Sequence, residues 1–535
     1  MLDGCVPWPA ELAERYRAEG YWAEQTLDVL LRDGARQHAD RTALVAADGT
    51  RFTWAELDAW ADRIAAGLVA TGLEPQDRVL VQLPNVPEFV ALFFGLLRAR
   101  VLPVLALPAH RESEIVPLCE LSGAVAYFVA EDDGAGYDYR DLARTVTKAV
   151  PSVRQVFVVG DPAEFAALPE ADPIELPAAD PFEPALFLLS GGTTGTPKLI
   201  PRTHTDYLYN VRASAEVSGF TSDTVYLVAL PAAHNFALAS PGLLGAMSTG
   251  GTVVLAPDPA ADTAFELIER DGVTVTAVVP PIALLWMDVV DFMDADLSTL
   301  ELLQVGGAKF NPEPAARVRD ALGCDLQQVF GMAEGLLNFT RLDDTDELKT
   351  TTQGAPLCPA DELLIVDEEG EPVAPGESGE LLTRGPYTLR GYYRAAEHNA
   401  RAFTADGFYR SGDVVRQLPS GHLIVEGRRK DQINRGGEKI PAEELENHLL
   451  AHPAVHDAAV VGMPDEVMGE RTCAFIVVKG EQAPTLREVT AFLRERGVAA
   501  YKLPDRLEVL EEFPQTKVGK VSKVALVRLL TGETG

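Results

Sequence analysis

Basic residues, cysteines and long apolar runs are all scarce in this 535-residue chain. Lys and Arg number 46 against 80 Asp and Glu, which gives a net charge of −34. A chain this acidic repels phosphate backbones and anionic lipid surfaces, so we expect neither a nucleic-acid partner nor a membrane partner. The apolar stretch Phe89–Leu97 is followed by two arginines. It has only about half the length that a bilayer-spanning helix needs.

The five cysteines are far apart in the sequence and form no C-x-x-C pair. This spacing favours reduced thiols over a disulfide framework or a zinc site. The segment Met1–Gly4 shows no basic stretch followed by an apolar one, so no export signal is expected and a cytoplasmic location is favoured. The chain also lacks the G-x-S-x-G and H-E-x-x-H motifs, which argues against a serine hydrolase and a zinc protease.

Short apolar runs alternate with amphipathic segments of helical length through the first two thirds of the chain. This alternation is typical of buried parallel sheets covered by helices on both faces, so we predict an α/β fold. The predicted strands are Arg78–Leu83, Ala124–Ala130, Gln155–Val159, Ala185–Leu189, Val225–Leu230, Thr252–Leu255, Val273–Val279 and Leu302–Val305. The predicted helices include Val86–Arg98, Thr205–Val217, Thr263–Arg270 and Pro312–Leu322.

The pattern changes near Gly354, where short strands are separated by turns rich in glycine and proline. The segments Glu362–Val366, Gly379–Thr383 and His422–Glu426 predict a small antiparallel subdomain over about residues 354–429. We place a domain boundary at Lys430, between an N-terminal part, 1–429, and a C-terminal domain, 430–535. The C-terminal domain carries 14 basic and 17 acidic residues, a net −3, so the N-terminal part carries −31.

The C-terminal domain has its own order of predicted elements, namely a helix, two strands, a second helix and a basic tail. Their segments are Ala442–Ala451, Ala458–Val461, Thr472–Val478 and Thr485–Arg496.

A glycine- and threonine-rich segment, S-G-G-T-T-G-T-P-K, follows the predicted strand Ala185–Leu189 directly. Its glycines let backbone N–H groups approach an anion, its hydroxyls add donors, and its lysine adds a positive charge. It is not the common nucleotide P-loop, because Thr196 rather than lysine follows the last glycine. We predict a phosphate-binding loop formed by Ser190, Gly191, Gly192, Thr193, Thr194, Gly195 and Lys198.

This loop resembles the phosphate signature of the adenylate-forming superfamily, which includes the acyl- and aryl-CoA synthetases and the adenylation domains of peptide synthetases. Four further segments resemble the later motifs of that superfamily, in the same order: Phe330–Glu334, Tyr409–Asp413, Gly427–Lys430 and Pro514–Lys520. Three more look like the stand-alone aryl-acid adenylating enzymes of siderophore assembly, the 2,3-dihydroxybenzoate–AMP ligases: Leu230–Asn235, Gln304–Phe310 and Asn434–Lys439.

The resemblance implies a large N-terminal domain of two stacked β/α subdomains plus a small β-barrel-like subdomain, followed by a small, mobile α+β domain. It also implies ATP and Mg²⁺ as cofactors, and a reaction in two halves. An aryl acid is first activated to aryl-AMP with release of pyrophosphate. The aryl group then passes to the phosphopantetheine thiol of an aryl carrier protein. Free coenzyme A as the acceptor, or a non-catalytic ligand-binding relative, are the alternatives.

The acid is its own nucleophile in this chemistry, so the protein has to supply positioning and positive charge. By resemblance, Lys520 bridges the carboxylate and the α-phosphate, Glu334 holds Mg²⁺, and His234 gates a tunnel for the thiol. Asp413 and Arg428 bind the ribose. The other expected nucleotide contacts are Gly307, Ala308, Val329, Phe330, Gly331 and Met332. Structural alternatives exist, such as a surface role for Lys520 and an interdomain salt bridge for Arg428.

The expected acid pocket begins at Asn235, where amino-acid-activating relatives have an aspartate. A neutral amide suits a phenolic hydroxyl ortho to the carboxylate, and Ser240 suits a second hydroxyl at ring position 3. In the family, serine at this position goes with 2,3-dihydroxybenzoate, whereas Leu337 leans toward salicylate. We favour 2,3-dihydroxybenzoate, with salicylate next. The remaining expected pocket residues are Phe236, Gly306 and Val329.

The second half-reaction implies a hinge. Relatives rotate the small domain about the residue that matches Lys430, which withdraws the catalytic lysine from the site. Gly436 and Gly437 would then let the phosphopantetheine arm pass close to the backbone.

Overall fold

The structure is a computed structural model that describes residues 2–133, 136–190, 198–367, 369–428, 432–435, 438–465, 469–480, 482–496, 498, 502–516 and 520–531. Within these ranges no helix is long and apolar enough to cross a membrane. All five cysteines are free thiols.

Residues 10–203 alternate between helices and mostly buried strands. The helices are α1 Ala10–Ala18, α2 Val29–His38, α3 Trp54–Ala70, α4 Pro87–Ala99, α5 Glu112–Ser122 and α6 Tyr139–Ala149. The strands are β1 Thr42–Val45, β2 Arg51–Thr53, β3 Arg78–Gln82, β4 Leu102–Leu105, β5 Ala126–Ala130, β6 Gln155–Val159, β7 Ala166–Ala167, β8 Pro184–Leu189 and β9 Leu199–Thr203.

Residues 204–356 repeat the alternation. The helices are α7 His204–Val217, α8 Asn235–Ala239, α9 Gly242–Ser248, α10 Ala261–Asp271, α11 Pro280–Val289, α12 Pro312–Leu322 and α13 Asp346–Thr351, with a 3₁₀ turn at Val290–Phe292. The strands are β10 Val225–Val228, β11 Thr252–Leu255, β12 Val275–Val278, β13 Leu302–Gly306, β14 Asp325–Met332, β15 Leu336–Phe339 and β16 Ala355–Pro356.

The remaining residues form two smaller sheets, in which all strand pairs but one are antiparallel among the described residues. The strands are β17 Glu362–Val366, β18 Ser378–Arg384, β19 Tyr409–Gln417, β20 Leu423–Arg428, β21 Gln432–Arg435, β22 Glu438–Pro441, β23 Val455–Asp465, β24 Gly469–Val478 and β25 Arg506–Leu510. The helices are α14 Ala396–Ala402, α15 Ala442–Leu450, α16 Leu486–Glu495 and α17 Lys523–Thr531.

Two large sheets form the N-terminal part. One has the order β7-β6-β5-β3-β4-β8-β9, and the other has the order β16-β15-β14-β13-β12-β10-β11-β1-β2. Strands in the middle of each sheet pair in parallel, as β3 does with β5 and β12 with β13. Antiparallel pairs lie at the edges, as between β8 and β9. One large apolar core contacts both sheets and includes the helix residues Phe93 and Leu238. The predicted α/β class is therefore confirmed.

Two smaller sheets follow. Strands β17-β18-β19-β20 form an antiparallel sheet, and the last five strands form a separate sheet in which β25 pairs with β24. The C-terminal sheet has its own apolar core, built around residues such as Leu445 and Ile476. We call the unit from β21 to α17 the lid. The boundary predicted at Lys430 falls outside the described residues and stays a prediction.

The basic tail contains more structure than its sequence pattern indicates. Strand β25 and helix α17 both lie within it. Phe513 and Leu526 are buried in a second lid cluster with Phe475 of β24. Burial of these apolar side chains stabilises the tail as part of the lid.

Candidate active site

The predicted phosphate loop connects β8 to β9. Its two end residues contact each other: the Ser190 N–H donates to the Lys198 carbonyl at 3.0 Å, and the Lys198 N–H donates to Ser190 Oγ at 3.0 Å. The Lys198 ammonium lies 5.9 Å from the centre of the Tyr392 ring. The intervening residues, 191–197, lie outside the described residues. The structure thus defines the two ends of the loop and the direction from which the chain enters and leaves it.

A buried ion pair lies directly after this loop. Arg202 Nε and Asp206 Oδ1 are 2.8 Å apart, and their side chains are 1% and 5% exposed. Asp206 also accepts hydrogen bonds from the backbone N–H and the hydroxyl of Thr203, which completes a capping box at the start of α7. Arg202 Nη1 donates to the Ala333 carbonyl at 2.9 Å. The ion pair therefore connects the phosphate-loop hairpin, the start of α7 and the segment that carries Glu334.

The Glu334 carboxylate is held by a tyrosine. Tyr392 Oη donates to Glu334 Oε1 at 2.7 Å, and Tyr392 Oη lies 2.9 Å from Tyr409 Oη. Burial, followed by the negative charge of Glu334, raises the pKa of Tyr392 far above its usual value, so the phenol remains a donor. The Leu389 N–H also donates to the Glu334 carbonyl at 2.7 Å. Both the backbone and the carboxylate of Glu334 are thus fixed.

One carboxylate suits the ligand set of a nucleotide-bound Mg²⁺, which takes one or two protein carboxylates and completes its octahedron with phosphates and water. Glu334 is buried, and one of its two carboxylate oxygens accepts the hydrogen bond from Tyr392. The described residues contain no group of three or more His, Cys, Asp or Glu that could hold a metal ion by themselves. The donor set therefore fits a metal that arrives with the nucleotide.

The two predicted ribose residues lie on neighbouring strands. Asp413 of β19 pairs in register with Arg428 of β20. Asp413 is 6% exposed, and its backbone N–H donates to Ser411 Oγ at 3.0 Å. The same strand β19 begins at Tyr409, so it connects the Asp413 position with the tyrosines next to Glu334.

The predicted acid pocket is centred on the short helix α8. Asn235 is its first residue, and Asn235 Oδ1 accepts a hydrogen bond of 2.7 Å from Tyr207 Oη. Asn235 Nδ2 donates to Ser240 Oγ at 3.4 Å, and Ser240 Oγ donates to the Asn235 carbonyl at 3.4 Å. Two of the residues expected to contact the acid, Asn235 and Ser240, therefore belong to one hydrogen-bonded network.

Glycines make room for the apolar walls of this pocket. A Cβ placed on Gly306 would lie 2.9 Å from the Phe236 ring and 2.7 Å from the Val329 carbonyl. A Cβ placed on Gly331 would lie 2.3 Å from Leu337 Cδ2. Strand pairing holds these residues opposite each other, with Gly306 beside Val329 and Gly331 beside Leu337. The structure thus places Phe236 and Val329 beside Gly306, and Leu337 beside Gly331, which was expected to contact the nucleotide.

Phe330 and Met332, the other nucleotide residues expected on β14, are both partly buried. The Phe330 carbonyl accepts a hydrogen bond of 3.1 Å from Asn338 Nδ2. Phe330 and Met332 also pack beneath the antiparallel sheet, against the cluster that includes Leu336 and Val415. Ala308, in the turn after β13, is exposed.

Lys520 reaches the N-terminal part from the lid. Its Cε lies 3.6 Å from the position that a Cβ on Gly307 would occupy, and Gly307 has a φ of +80°. The Lys520 N–H donates to Thr516 Oγ1 at 3.2 Å, and the Thr516 N–H donates to the Lys520 carbonyl at 2.6 Å. These two bonds support the Lys520 backbone, and the Lys520 side chain lies next to Gly307.

His234 is the N-cap residue of α8 and lies within the electrostatic range of this lysine. Its Nδ1 accepts a hydrogen bond of 3.3 Å from the Phe236 N–H, so a neutral ring carries its proton on Nε2. Burial lowers the pKa of His234 to about 4, and the positive charge of Lys520 adds to this effect. The imidazole is therefore uncharged at neutral pH.

Two polar side-chain contacts connect the lid to the N-terminal part. Lys309 Nζ lies 3.6 Å from Glu443 Oε2 of α15, and His456 Nδ1 lies 3.0 Å from Asp288 Oδ2. Lys309 Nζ also donates to the Val425 carbonyl at 2.5 Å. Burial raises the pKa of Glu443 to about 7, although Lys309 acts in the opposite direction. These contacts occur in the same arrangement of the lid that places Lys520 next to Gly307.

The structure also shows residues near the site that the motifs do not indicate: Arg202, Tyr207 and Tyr392. Arg202 and Asp206 are four residues apart, a spacing that usually indicates an exposed helical ion pair. Tyr207 and Tyr392 contact residues 28 and 58 positions away in the sequence. Several residues named from the motifs lie outside the described residues, namely Gly191, Gly192, Thr193, Thr194, Gly195, Lys430, Gly436 and Gly437.

Comparison with known proteins agrees with this arrangement. The AMP-binding enzyme family matches residues 31–393, and the AMP-binding enzyme C-terminal domain matches residues 444–520. The chain therefore belongs to the AMP-binding enzyme family.

Two curated relatives match almost the whole chain. A 2,3-dihydroxybenzoate-AMP ligase of Bacillus subtilis is 56% identical, over 98% of this chain and 97% of its own. A salicyl-AMP ligase / salicyl-S-ArCP synthetase of Mycobacterium tuberculosis is 52% identical, over 100% of this chain and 96% of its own. Among solved structures, the apo structure of Mycobacterium smegmatis MbtA has a TM-score of 0.76 and 53% identity, and covers 98% of both chains.

The proximity of Lys520 to His234 leads to a prediction that needs no substrate. In a Lys520→Ala variant the pKa of His234 should rise from about 4, because a nearby positive charge is removed. It should remain below the ordinary value of 6.5, because burial is the larger cause of the shift. A pH titration of ¹³C-labelled histidine by NMR measures the pKa of His234 in the unaltered chain and in the variant. Lys502→Ala, which removes a lid lysine paired with Glu444, is the matched control and should leave the His234 titration unchanged. An unchanged His234 pKa in Lys520→Ala would contradict the position of Lys520.

Proposed function

We propose that this chain uses ATP to activate a 2-hydroxyaryl carboxylic acid to an aryl-AMP with release of pyrophosphate. It then transfers the aryl group to the phosphopantetheine thiol of an aryl carrier protein, as a step in siderophore or nonribosomal peptide synthesis. The observation that carries the proposal is the approach of Lys520 to Gly307 and His234, next to the pocket that begins at Asn235. The relatives named for 2,3-dihydroxybenzoate and salicylate support the same substrate class.

In the first half-reaction a carboxylate oxygen of the acid attacks the α-phosphorus of ATP. The new O–P bond forms as the bond between the α-phosphorus and the bridging oxygen breaks, and pyrophosphate leaves with the electron pair. Lys520 places one positive charge beside the carboxylate and α-phosphate oxygens, where negative charge builds up. Glu334 would hold Mg²⁺, which offsets the charge of the phosphates when it is bound.

The neutral state of His234 matters for the same step. A second positive charge beside Lys520 would compete for the same anionic oxygens, and a neutral ring avoids this competition. In the second half-reaction His234 would open a path for the thiol, which attacks the acyl carbon and displaces AMP.

The pocket favours 2,3-dihydroxybenzoate, with salicylate next. Asn235 and Ser240 supply polar contacts for hydroxyls at ring positions 2 and 3, whereas Phe236 and Leu337 supply apolar walls. A buried polar group left without a partner is costly, so an acid that lacks the 2-hydroxyl should be activated poorly.

A pyrophosphate-exchange panel tests this function directly. The acids are benzoate, salicylate, 2,3-dihydroxybenzoate and 3-hydroxypicolinate. We expect the 2-hydroxy benzoates to exceed benzoate by roughly a hundredfold or more in kcat/KM, since the pocket was built to bind a hydroxyl. Equal rates with benzoate would contradict the substrate class, and no acid-dependent exchange at all would favour a non-catalytic relative.

The role of Lys520 separates the two half-reactions. Lys520→Ala should lower carboxylate-dependent pyrophosphate exchange by about a hundredfold to a thousandfold, because a charge aimed at the transition state is removed. Transfer from supplied aryl-AMP to the thiol should be largely unaffected. Lys502→Ala serves as the control and should leave both half-reactions at the level of the unaltered protein. Equal loss of both half-reactions in Lys520→Ala would contradict the proposed role.

The acceptor is addressed by a direct comparison of thioester yields. Holo-carrier protein and free coenzyme A are supplied separately with the same acid and ATP. Higher yield with the carrier protein supports the proposal, and higher yield with coenzyme A supports an aryl-CoA ligase.

The proposed rotation of the lid about Lys430 gives a further prediction. Lys430→Pro should slow thiol transfer far more than adenylation, because proline fixes φ and restricts a hinge. Lys430→Ala removes the same side chain but leaves φ unrestricted, so its transfer rate should stay close to that of the unaltered protein. Thiol transfer is measured in single-turnover experiments with aryl-AMP and holo-carrier protein, and adenylation is measured by acid-dependent pyrophosphate exchange. Normal transfer in Lys430→Pro would rule out rotation at this residue.

A further inference from the structure

Helix α7 carries a buried polar stripe that faces the acid pocket. Tyr207, Asn210 and Ser214 are spaced three and four residues apart, so they lie on one face of the helix. Their side chains are at most 1% exposed. Asn210 Nδ2 donates to the Ala239 carbonyl at 2.6 Å, and Ser214 Oγ lies 3.4 Å from the same carbonyl. The stripe therefore fixes the segment that carries Asn235 and Ser240.

The Tyr207 contact differs from the other two, because it acts on a side chain rather than on the backbone. Tyr207 Oη donates to Asn235 Oδ1 at 2.7 Å. Burial raises the pKa of Tyr207 well above its usual value, so the phenol keeps its proton. A phenol with its proton needs an acceptor in a buried position, and the amide oxygen supplies one.

This bond determines which end of the Asn235 amide turns away from α7. With Oδ1 on the phenol, Nδ2 points toward Ser240, to which it donates at 3.4 Å. Ser240 Oγ in turn donates to the Asn235 carbonyl. Each hydrogen bond of this network therefore has a defined donor and a defined acceptor. The amide nitrogen has two hydrogens, and Ser240 takes only one of them. A reversed amide would bring Nδ2 to the phenol and remove the acceptor of the Tyr207 proton.

We propose that Tyr207 is a positioning residue that holds the Asn235 amide with its N–H side toward the acid, so that the pocket selects an ortho substituent that accepts a hydrogen bond. This inference rests on the proposed function and deepens it. In a 2-hydroxybenzoate the hydroxyl donates its own proton to the neighbouring carboxylate, and its oxygen can accept from Asn235 Nδ2. In a 2-aminobenzoate the nitrogen lone pair is delocalised into the ring, so the amino group is a poor acceptor and its hydrogens oppose those of Nδ2. Benzoate offers nothing at this position.

The test is a Tyr207→Phe variant, which removes the phenolic O–H and keeps the ring. Pyrophosphate exchange is measured with salicylate, 2-aminobenzoate and benzoate in the full chain. We expect kcat/KM for salicylate to fall at least tenfold, mainly through KM, and the ratio of salicylate to 2-aminobenzoate to fall by a similar factor. The value for benzoate should stay within about twofold, because benzoate makes no bond to Asn235.

Tyr127→Phe is the matched control. Tyr127 is also a fully buried tyrosine whose hydroxyl donates to a side-chain amide oxygen, that of Gln82, but it lies in the seven-stranded sheet. The ratio of salicylate to 2-aminobenzoate should be unchanged in this variant. A uniform loss for all three acids in Tyr207→Phe, or an unchanged ratio, would overturn the positioning role. Thermal unfolding of both variants identifies a loss of folded protein.

A binding measurement keeps this inference separate from the proposed function. Non-hydrolysable sulfamoyl adenylates of salicylate, 2-aminobenzoate and benzoate are titrated into the unaltered chain and Tyr207→Phe by calorimetry. Preference for the salicylate compound that falls at least tenfold in the variant supports the role of Tyr207 even if no exchange is found. Exchange with 2-hydroxy acids, but no change of preference in the variant, leaves the proposed function standing and rejects the inference.

Discussion

The buried ion pair between Arg202 and Asp206 sets the positions of the other parts of the site. Arg202 follows the phosphate-loop hairpin, donates to the carbonyl before Glu334, and lies 4.9 Å from the centre of the Tyr207 ring. Both charges are almost completely buried. Removal of one buried partner leaves an uncompensated charge that costs about 3–5 kcal/mol. The nucleotide side and the acid side of the site are therefore held in one arrangement by a single side chain that need not contact either substrate.

Two buried phenols act on the site in similar ways. Tyr392 donates to the Glu334 carboxylate and Tyr207 donates to the Asn235 amide oxygen. In each case a tyrosine that keeps its proton fixes the orientation of a polar side chain that we propose faces a ligand. Fixed polar groups need no rearrangement as charge develops, which is the condition for electrostatic catalysis and for strict selection of substrates. In the proposed mechanism the lid adds Lys520, which its rotation would bring to the site and withdraw.

Sequence patterns predicted the sheets well and the supporting contacts poorly. Predicted strands such as Gln155–Val159 and Thr252–Leu255 match the structure, because apolar runs between polar turns define buried strands closely. Among the expected pocket residues, Asn235 contacts Ser240, and Gly306 lies against Phe236, while their roles stay predictions. The supporting contacts of Arg202, Tyr207 and Tyr392 were not predicted. Their partners depend on how distant segments pack, and no local spacing of residues encodes this packing.

The contact between Glu443 and Lys309 gives the lid a link to the acidity of the surrounding solution. An exposed glutamate titrates near pH 4.3, whereas burial raises the pKa of Glu443 to about 7 in this arrangement. If the proposed rotation exposes Glu443, this carboxyl would bind a proton more tightly in the arrangement described here than after the rotation. Acidification toward pH 5 would then favour this arrangement, and alkaline conditions above pH 7 would weaken it. Each proposed rotation away from Lys309 would return that proton, so alternation between the two half-reactions would include a small proton cycle of its own.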